Sequence, residues 1–121
     1  MNPAELFRLD SDLVRLAPGE ALFHTGDVGK EMFVLIDGNA DVVIGGTVVE
    51  NAGPGALLGE MALIEDAPRT ATVIAKSACQ LARVNQKRFH FLVQQNPFFA
   101  THVMKELVTR LRRMNERLAK A

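Results

Sequence analysis

Little in this sequence points to covalent, metal or membrane chemistry. Among 121 residues there is a single cysteine, Cys79. It cannot form an internal disulfide, and it fits a reducing, cytoplasmic setting. It lies in Cys79-Gln80-Leu81-Ala82-Arg83-Val84, which reads as a half-buried strand, so its expected role is packing. The three histidines, His24, His90 and His102, fall on separate expected elements with no ligand spacing. This leaves no metal centre and no nucleophile–base pair. No signal peptide and no long apolar run are present, so a soluble protein off the membrane is expected. The fourteen basic and fourteen acidic residues sum to zero. The molecule as a whole therefore has no electrostatic case for nucleic acid. No helix-turn-helix follows the last expected helix before Ala121, so no DNA-reading part is expected of this chain.

The charge is unevenly placed. Three basic and twelve acidic residues precede Ala67, whereas eleven basic and two acidic residues follow Asp66. The simpler expectation is that the halves lie against each other and largely neutralise. The sharper one is a basic C-terminal helix with a partner.

A chain of this length makes one domain with a real core. Its first two-thirds carry β-type punctuation. Leu13 to Ala17, Ala21 to His24, Met32 to Asp37, Ala40 to Ile44 and Thr47 to Glu50 read as short strands. Pro18-Gly19, Gly26-Asp27, Asp37-Gly38 and Gly45-Gly46 mark the turns. Short strands at regular spacing imply a sandwich or roll rather than a parallel sheet. After Val84 the pattern becomes helical, with one helix from Gln86 to Gln95 and a second from about Pro97 to Lys120. Val103, Leu107, Leu111, Met114 and Leu118 share one face of the second helix. That stripe is compatible with packing on the roll, capping its base or pairing with a second copy. At the other end, Pro3 to Leu9 predicts a short helix. The expected fold is mainly β with flanking α: a jelly-roll-like β-roll of about eight strands over residues 12–84, followed by two C-terminal helices over 86–120.

The stretch from Gly55 to Ala75 organises the rest. Leu57-Leu58 reads as a strand, Gly59 breaks it, and Glu60 to Ile64 has helical character. Asp66-Ala67-Pro68 stops the helix after about one turn, and Thr70 to Ala75 returns to a strand rich in β-branched residues. A one-turn helix opening at a glycine offers free backbone N–H groups to an anion. Arg69 could supply a planar two-pronged donor to phosphate oxygens. Glu60 beside an anion site makes sense only if the ligand also presents a hydroxyl, such as a ribose 2′-OH. Phosphate plus ribose hydroxyl describes a nucleotide.

Gly59-Glu60-Met61-Ala62-Leu63, followed by Pro68-Arg69-Thr70-Ala71-Thr72-Val73, resembles the phosphate-binding cassette of cyclic nucleotide-binding domains. These are the sensor modules of cyclic-nucleotide-dependent kinases, cyclic-nucleotide-gated channels and the catabolite activator family. Pro18-Gly19-Glu20, Leu22-Phe23, Gly26-Asp27, Met32 to Leu35 and Gly38 resemble the glycine-punctuated roll of the same family. The resemblance spans Leu16 to Leu118 and implies a non-catalytic sensor that changes conformation on binding cyclic AMP or, second, cyclic GMP. It implies phosphate and ribose contacts from Gly59, Glu60, Met61, Ala62, Arg69, Thr70 and Ala71. It places the base near Leu111, Met114 and Asn115. No cofactor or metal beyond the ligand is implied. A homodimer or an effector protein would be met through the C-terminal helix. Thr70 is a weak guanine reader, so cyclic AMP is the expected ligand. The rival expectation, an interaction module that keeps the fold without a ligand, is disfavoured because Gly59, Glu60 and Arg69 all remain.

Overall fold

The computed structural model describes residues 2–120; Met1 and Ala121, the ends of the expected domain, lie outside them. A short helix, α1 (Ala4–Phe7), precedes eight strands: β1 (Leu13–Leu16), β2 (Ala21–Phe23), β3 (Glu31–Asp37), β4 (Ala40–Ile44), β5 (Thr47–Ala52), β6 (Leu57–Leu58), β7 (Thr72–Ala75) and β8 (Cys79–Asn85). A single 3-10 turn, Glu60–Leu63, separates β6 from β7, and two helices follow, α2 (Gln86–Gln95) and α3 (Pro97–Lys120). This is the expected jelly-roll with two C-terminal helices. Most boundaries fall within one or two residues of the expected ones. The strand expected from Thr70 begins instead at Thr72, where pairing with Val43 of β4 starts. Two residues after Arg69 are thereby left out of the ladder.

The strands form two antiparallel sheets, ordered β1-β8-β3-β6 and β2-β7-β4-β5. The alternation of β3 explains the layering. Met32, Val34 and Ile36 point to one face, and Phe33 and Leu35 to the other, all buried. The first set joins Phe7, Leu57, Leu63, Ala82, Val84, Phe99 and Val103 in a core beneath the helices. The second joins Phe23, Leu58, Val73, Ala75, Cys79 and Leu81 between the sheets. β3 is thus a central strand with apolar neighbours on both sides, which is why its sequence is a continuous apolar run rather than an alternating one. The β4–β5 hairpin closes through Gly45 and Gly46, at φ of 57° and 78°. Two consecutive positive φ values define the tight turn that matches strand twist, and glycine adopts them without steric cost.

Helix placement follows local capping. The Asn85 side chain accepts from the Arg88 N–H at 2.8 Å and starts α2. Asn96 ends α2, and its side chain accepts from the Phe99 N–H at 3.2 Å at the start of α3, where Pro97 occupies the first turn. Phe99 stacks edge-on to both Phe7 and Phe89, with centroids 6.1 Å apart in each case. This pins the first turn of α3 to α1 and α2. The uneven charge resolves largely within the molecule: Arg88 pairs with Asp10, Arg83 with Asp12 and Glu31, and Arg110 and Arg113 with Glu50. Only the first half of the expected apolar stripe is covered. Val103 is buried and Leu107 half-buried, whereas Leu111, Met114 and Leu118 are 57–70% exposed.

Truncation of Phe99 to alanine opens a cavity where three aromatic rings meet. A loss of about 3–5 kcal/mol in unfolding free energy is expected in urea denaturation. Cys79 supplies a second check. Burial pushes its thiol above the ordinary value, and it is 2% exposed. It should resist alkylation at neutral pH in the folded protein and react readily in denaturant.

Candidate functional site

A cavity of about 400 Å³ opens between the ends of the two sheets and α3. Its walls come from β2, β4 to β7, the 3-10 turn, the loop that carries Ala67 to Ala71, and the α3 residues Leu107 to Arg117. Most of the lining is apolar, from Phe23, Val42, Ile44, Val49, Val73, Leu111 and Met114. The polar groups converge from two sides, one around Arg69 and one around Arg110.

Arg69 is 8% exposed. Its Nη2 donates to the carbonyl of Glu31 at 2.7 Å and its Nη1 to the carbonyl of Gly59 at 3.2 Å. The guanidinium lies 4.3 Å from the centroid of the Phe23 ring, a cation–π contact, with the Phe33 ring at 5.9 Å. None of the ion pairs among the described residues includes Arg69. Burial holds its pKa below the ordinary value, against the longer-range pull of Glu31, Asp27 and Glu60. Arginine stays charged even so. The result is a cation taken out of water, hydrogen-bonded by neutral carbonyls and left without a bonded counter-charge. That arrangement is costly unless an anion joins it.

The local chain explains how Arg69 reaches this position. Gly59 adopts φ 74° and ψ 23°, a left-handed turn that glycine tolerates. A Cβ there would sit 2.4 Å from Nη1 of Arg69 and 3.2 Å from Cε2 of Phe23. The turn redirects the chain from β6 into Glu60–Leu63, whose leading backbone N–H groups lack intrahelical partners. Pro68 lies just before Arg69 in the cavity wall.

On the opposite side, Arg110 of α3 gathers three carboxylates. Nη1 pairs with Glu60, while Nη2 pairs with Glu50 at 3.1 Å and with Glu106 at 3.5 Å. Nη2 also donates to the carbonyl of Leu57. Burial alone would lower the Arg110 pKa, but attraction to Glu60, Glu50 and Glu106 outweighs it and raises the value above normal. Glu106 accepts from the backbone N–H of Leu57 at 3.1 Å. Burial raises its pKa above the ordinary carboxylate range, against the opposing attraction of Arg110, the Leu57 N–H and His102. Further along α3, Arg117 donates to the carbonyl of Val49. The distal half of α3 is thus tied to the roll by arginines rather than by apolar packing.

Residues 13–96 match the sequence model of the cyclic nucleotide-binding domain. The chain belongs to the cyclic nucleotide-binding domain family. It is 37% identical over 79 residues to the cAMP-dependent protein kinase regulatory subunit of Hypocrea atroviridis, covering 65% of this chain and 17% of that protein. It is 33% identical over 112 residues to the cyclic nucleotide-gated potassium channel mll3241 of Mesorhizobium japonicum, covering 91% of this chain and 31% of the channel. The chain therefore spans less than a third of the length of these two relatives. The fold matches that of the catabolite activator protein of Thermus thermophilus with a TM-score of 0.75 and 25% identity, over 89% of this chain and 53% of that one.

In this cyclic nucleotide-binding domain, the residues named from sequence fall mostly around one cavity. Gly59, Glu60, Met61, Ala62, Arg69, Thr70 and Ala71 line it, as do Leu111 and Met114. Asn115 does not; it is exposed on α3, one residue beyond the lining Met114. Glu60 faces the cavity with its carboxylate already engaged by Arg110. Sequence reasoning missed Arg110, Glu50 and Glu106. A signal was present: Arg110 lies three residues after Leu107 and four before Met114, so it interrupts the apolar face with a charge. Glu106 stands four residues before it, at ion-pair spacing. Glu50 could not be found that way, because it is sixty residues distant in the chain. No helix among the described residues is long and apolar enough to cross a membrane.

Arg110→Ala would leave Glu60 without its partner and weaken the pairing of Glu50 and Glu106, three carboxylates that are 12–20% exposed. The expected cost is on the order of 3 kcal/mol at neutral pH. A carboxyl with a raised folded pKa penalises the folded state only while charged, so its penalty is complete above that pKa and fades as pH falls through it. Arg110 is the main attraction opposing the rise at Glu106. Its removal should therefore hurt most at neutral pH and less in mild acid. Urea unfolding of wild type and variant at both pH values checks this: the gap should narrow on acidification, and a constant or widening gap would count against it.

Proposed function

We propose that this chain binds a cyclic nucleotide in the cavity beneath α3 without turning it over. The observation that carries the reading is Arg69: a buried guanidinium with no carboxylate partner among the described residues, in the wall of a cavity that suits a small nucleotide. A cyclic phosphate supplies the missing negative charge, taking the guanidinium N–H groups that Glu31 and Gly59 leave free. Backbone N–H groups from Gly59 to Met61 and at Thr70 and Ala71 complete the phosphate site, with Ala62, whose N–H donates to the Gly59 carbonyl, in the wall beside them. Glu60, already oriented by Arg110, accepts from the ribose 2′-OH. The base lies against the apolar wall near Leu111 and Met114. With no group in that wall committed to guanine, cyclic AMP is favoured over cyclic GMP.

Ligand binding draws the cassette and α3 together, because one ligand touches Arg69 and Glu60 on one side and Leu111 and Met114 of α3 on the other. This favours a closed population and transmits a signal to an effector protein or a second copy along α3. Such a sensor acts in the cytoplasm, in keeping with the reduced, buried Cys79.

Thermal unfolding of ligand-stripped protein tests the reading. Cyclic AMP at about a hundred times its Kd should stabilise the fold by roughly 2.7 kcal/mol, a shift on the order of 10 °C, whereas linear AMP should not. Arg69→Ala should weaken binding at least tenfold. Glu60→Ala should reduce affinity for cyclic AMP more than for its 2′-deoxy analogue, which has already lost the contact. No shift with any cyclic nucleotide in stripped, folded protein would favour an interaction module that keeps the fold without the ligand.

A further inference from the structure

The loop between β2 and β3 holds Arg69 at both ends although it contributes nothing to the cavity wall. The backbone N–H of Gly26 donates to the carbonyl of Arg69 at 2.8 Å, and the N–H of Arg69 donates to the carbonyl of Asp27 at 2.8 Å. The guanidinium then donates to the carbonyl of Glu31 at 2.7 Å. Between these contacts lies Gly29, half-buried and absent from the cavity lining. A Cβ on Gly29 would lie 2.5 Å from Nη2 of Arg69, 2.7 Å from Nε and 2.8 Å from Cζ. The missing side chain is therefore space that the guanidinium occupies. Gly59 forms the facing wall, with a built Cβ 2.4 Å from Nη1. The Phe23 ring closes the slot from a third side.

We infer that Gly29 is a positioning residue for the phosphate clamp: by lacking a Cβ it creates the slot in which the Arg69 guanidinium rests, aimed along the wall of the cavity. The slot explains how an arginine can be buried here without a carboxylate. Two backbone carbonyls and an aromatic face hold the planar group, and both flanking glycines let the backbone approach it closely. Gly29 does not adopt a positive φ. Alanine therefore fits its backbone, and the clash falls on the far end of the Arg69 side chain. The consequence of Gly29→Ala is a displaced guanidinium in an intact fold.

The affinity arm of the test rests on the binding reading proposed above, so a second arm needs no ligand. In 15N-labelled, ligand-free protein, the Arg69 Nη2–H resonance, assigned by its loss in Arg69→Lys, should be protected from solvent exchange by its bond to the Glu31 carbonyl. In Gly29→Ala it should move and lose that protection, while the unfolding temperature stays near wild type. Retained protection would overturn the inference whether or not nucleotide binds. In the affinity arm, Gly29→Ala should weaken cyclic AMP binding about tenfold in the wild-type background. In the Arg69→Lys background, where the slimmer ammonium leaves the slot free, the loss should fall below about twofold. Equal losses in both backgrounds would show that Gly29 acts independently of the guanidinium and would overturn the proposal. A wild-type chain that ignores every cyclic nucleotide but shows the protected resonance would refute the binding reading and leave the positioning role standing.

Discussion

The burial of one guanidinium constrains the architecture around the cavity. Arg69 must find hydrogen-bond acceptors and a tolerant surface inside the fold, and two segments supply them. The β2–β3 loop gives the space at Gly29, and the first residue of β3 gives the carbonyl of Glu31. The β6 turn gives the carbonyl of Gly59 and the space at that glycine. The Phe23 ring provides a face that accepts a cation. No carboxylate among the described residues completes the set. The protein thereby holds a buried positive charge in the wall of the cavity.

A second charge centre mirrors the first with the opposite logic. Around Arg110 the carboxylates outnumber the cation, and a helix rather than a loop carries it. Its bonds to Glu50, Glu60 and Leu57 span β5, the 3-10 turn and β6. Because the distal half of α3 lacks apolar cover, these contacts determine whether it lies on the roll. Polar ties of this kind are weaker and more responsive to their surroundings than a packed interface. Glu60 belongs to both centres: it faces the cavity and pairs with the helix.

The parts legible in the sequence were those written in local spacing. Glycine and proline punctuation marked the strands, and the change to a helical pattern after Val84 marked the two helices. The Gly59-Glu60 to Arg69 interval marked residues that line one cavity. The parts that were not legible depend on contacts between distant segments. Nothing local to Gly29 distinguishes a glycine that makes room for an arginine forty residues on from one that merely turns a loop. Glu50 reads as the end of an ordinary strand until α3 folds over it. The Thr70 boundary moved because Arg69 is bound to the β2–β3 loop, and the ladder with β4 begins only at Thr72. Asn115 was placed near the base by matching along the helix, but helical rotation turns it outward while Met114 stays on the cavity side.

The most direct test of the account is a crystal structure of ligand-stripped protein soaked with cyclic AMP. The account predicts one nucleotide per chain in the cavity beneath α3. Its phosphate should lie within hydrogen-bond distance of the Arg69 guanidinium, and its ribose 2′-OH should lie on Glu60. Nucleotide bound with its phosphate away from Arg69, or a cavity that stays empty while the fold is intact, would contradict it.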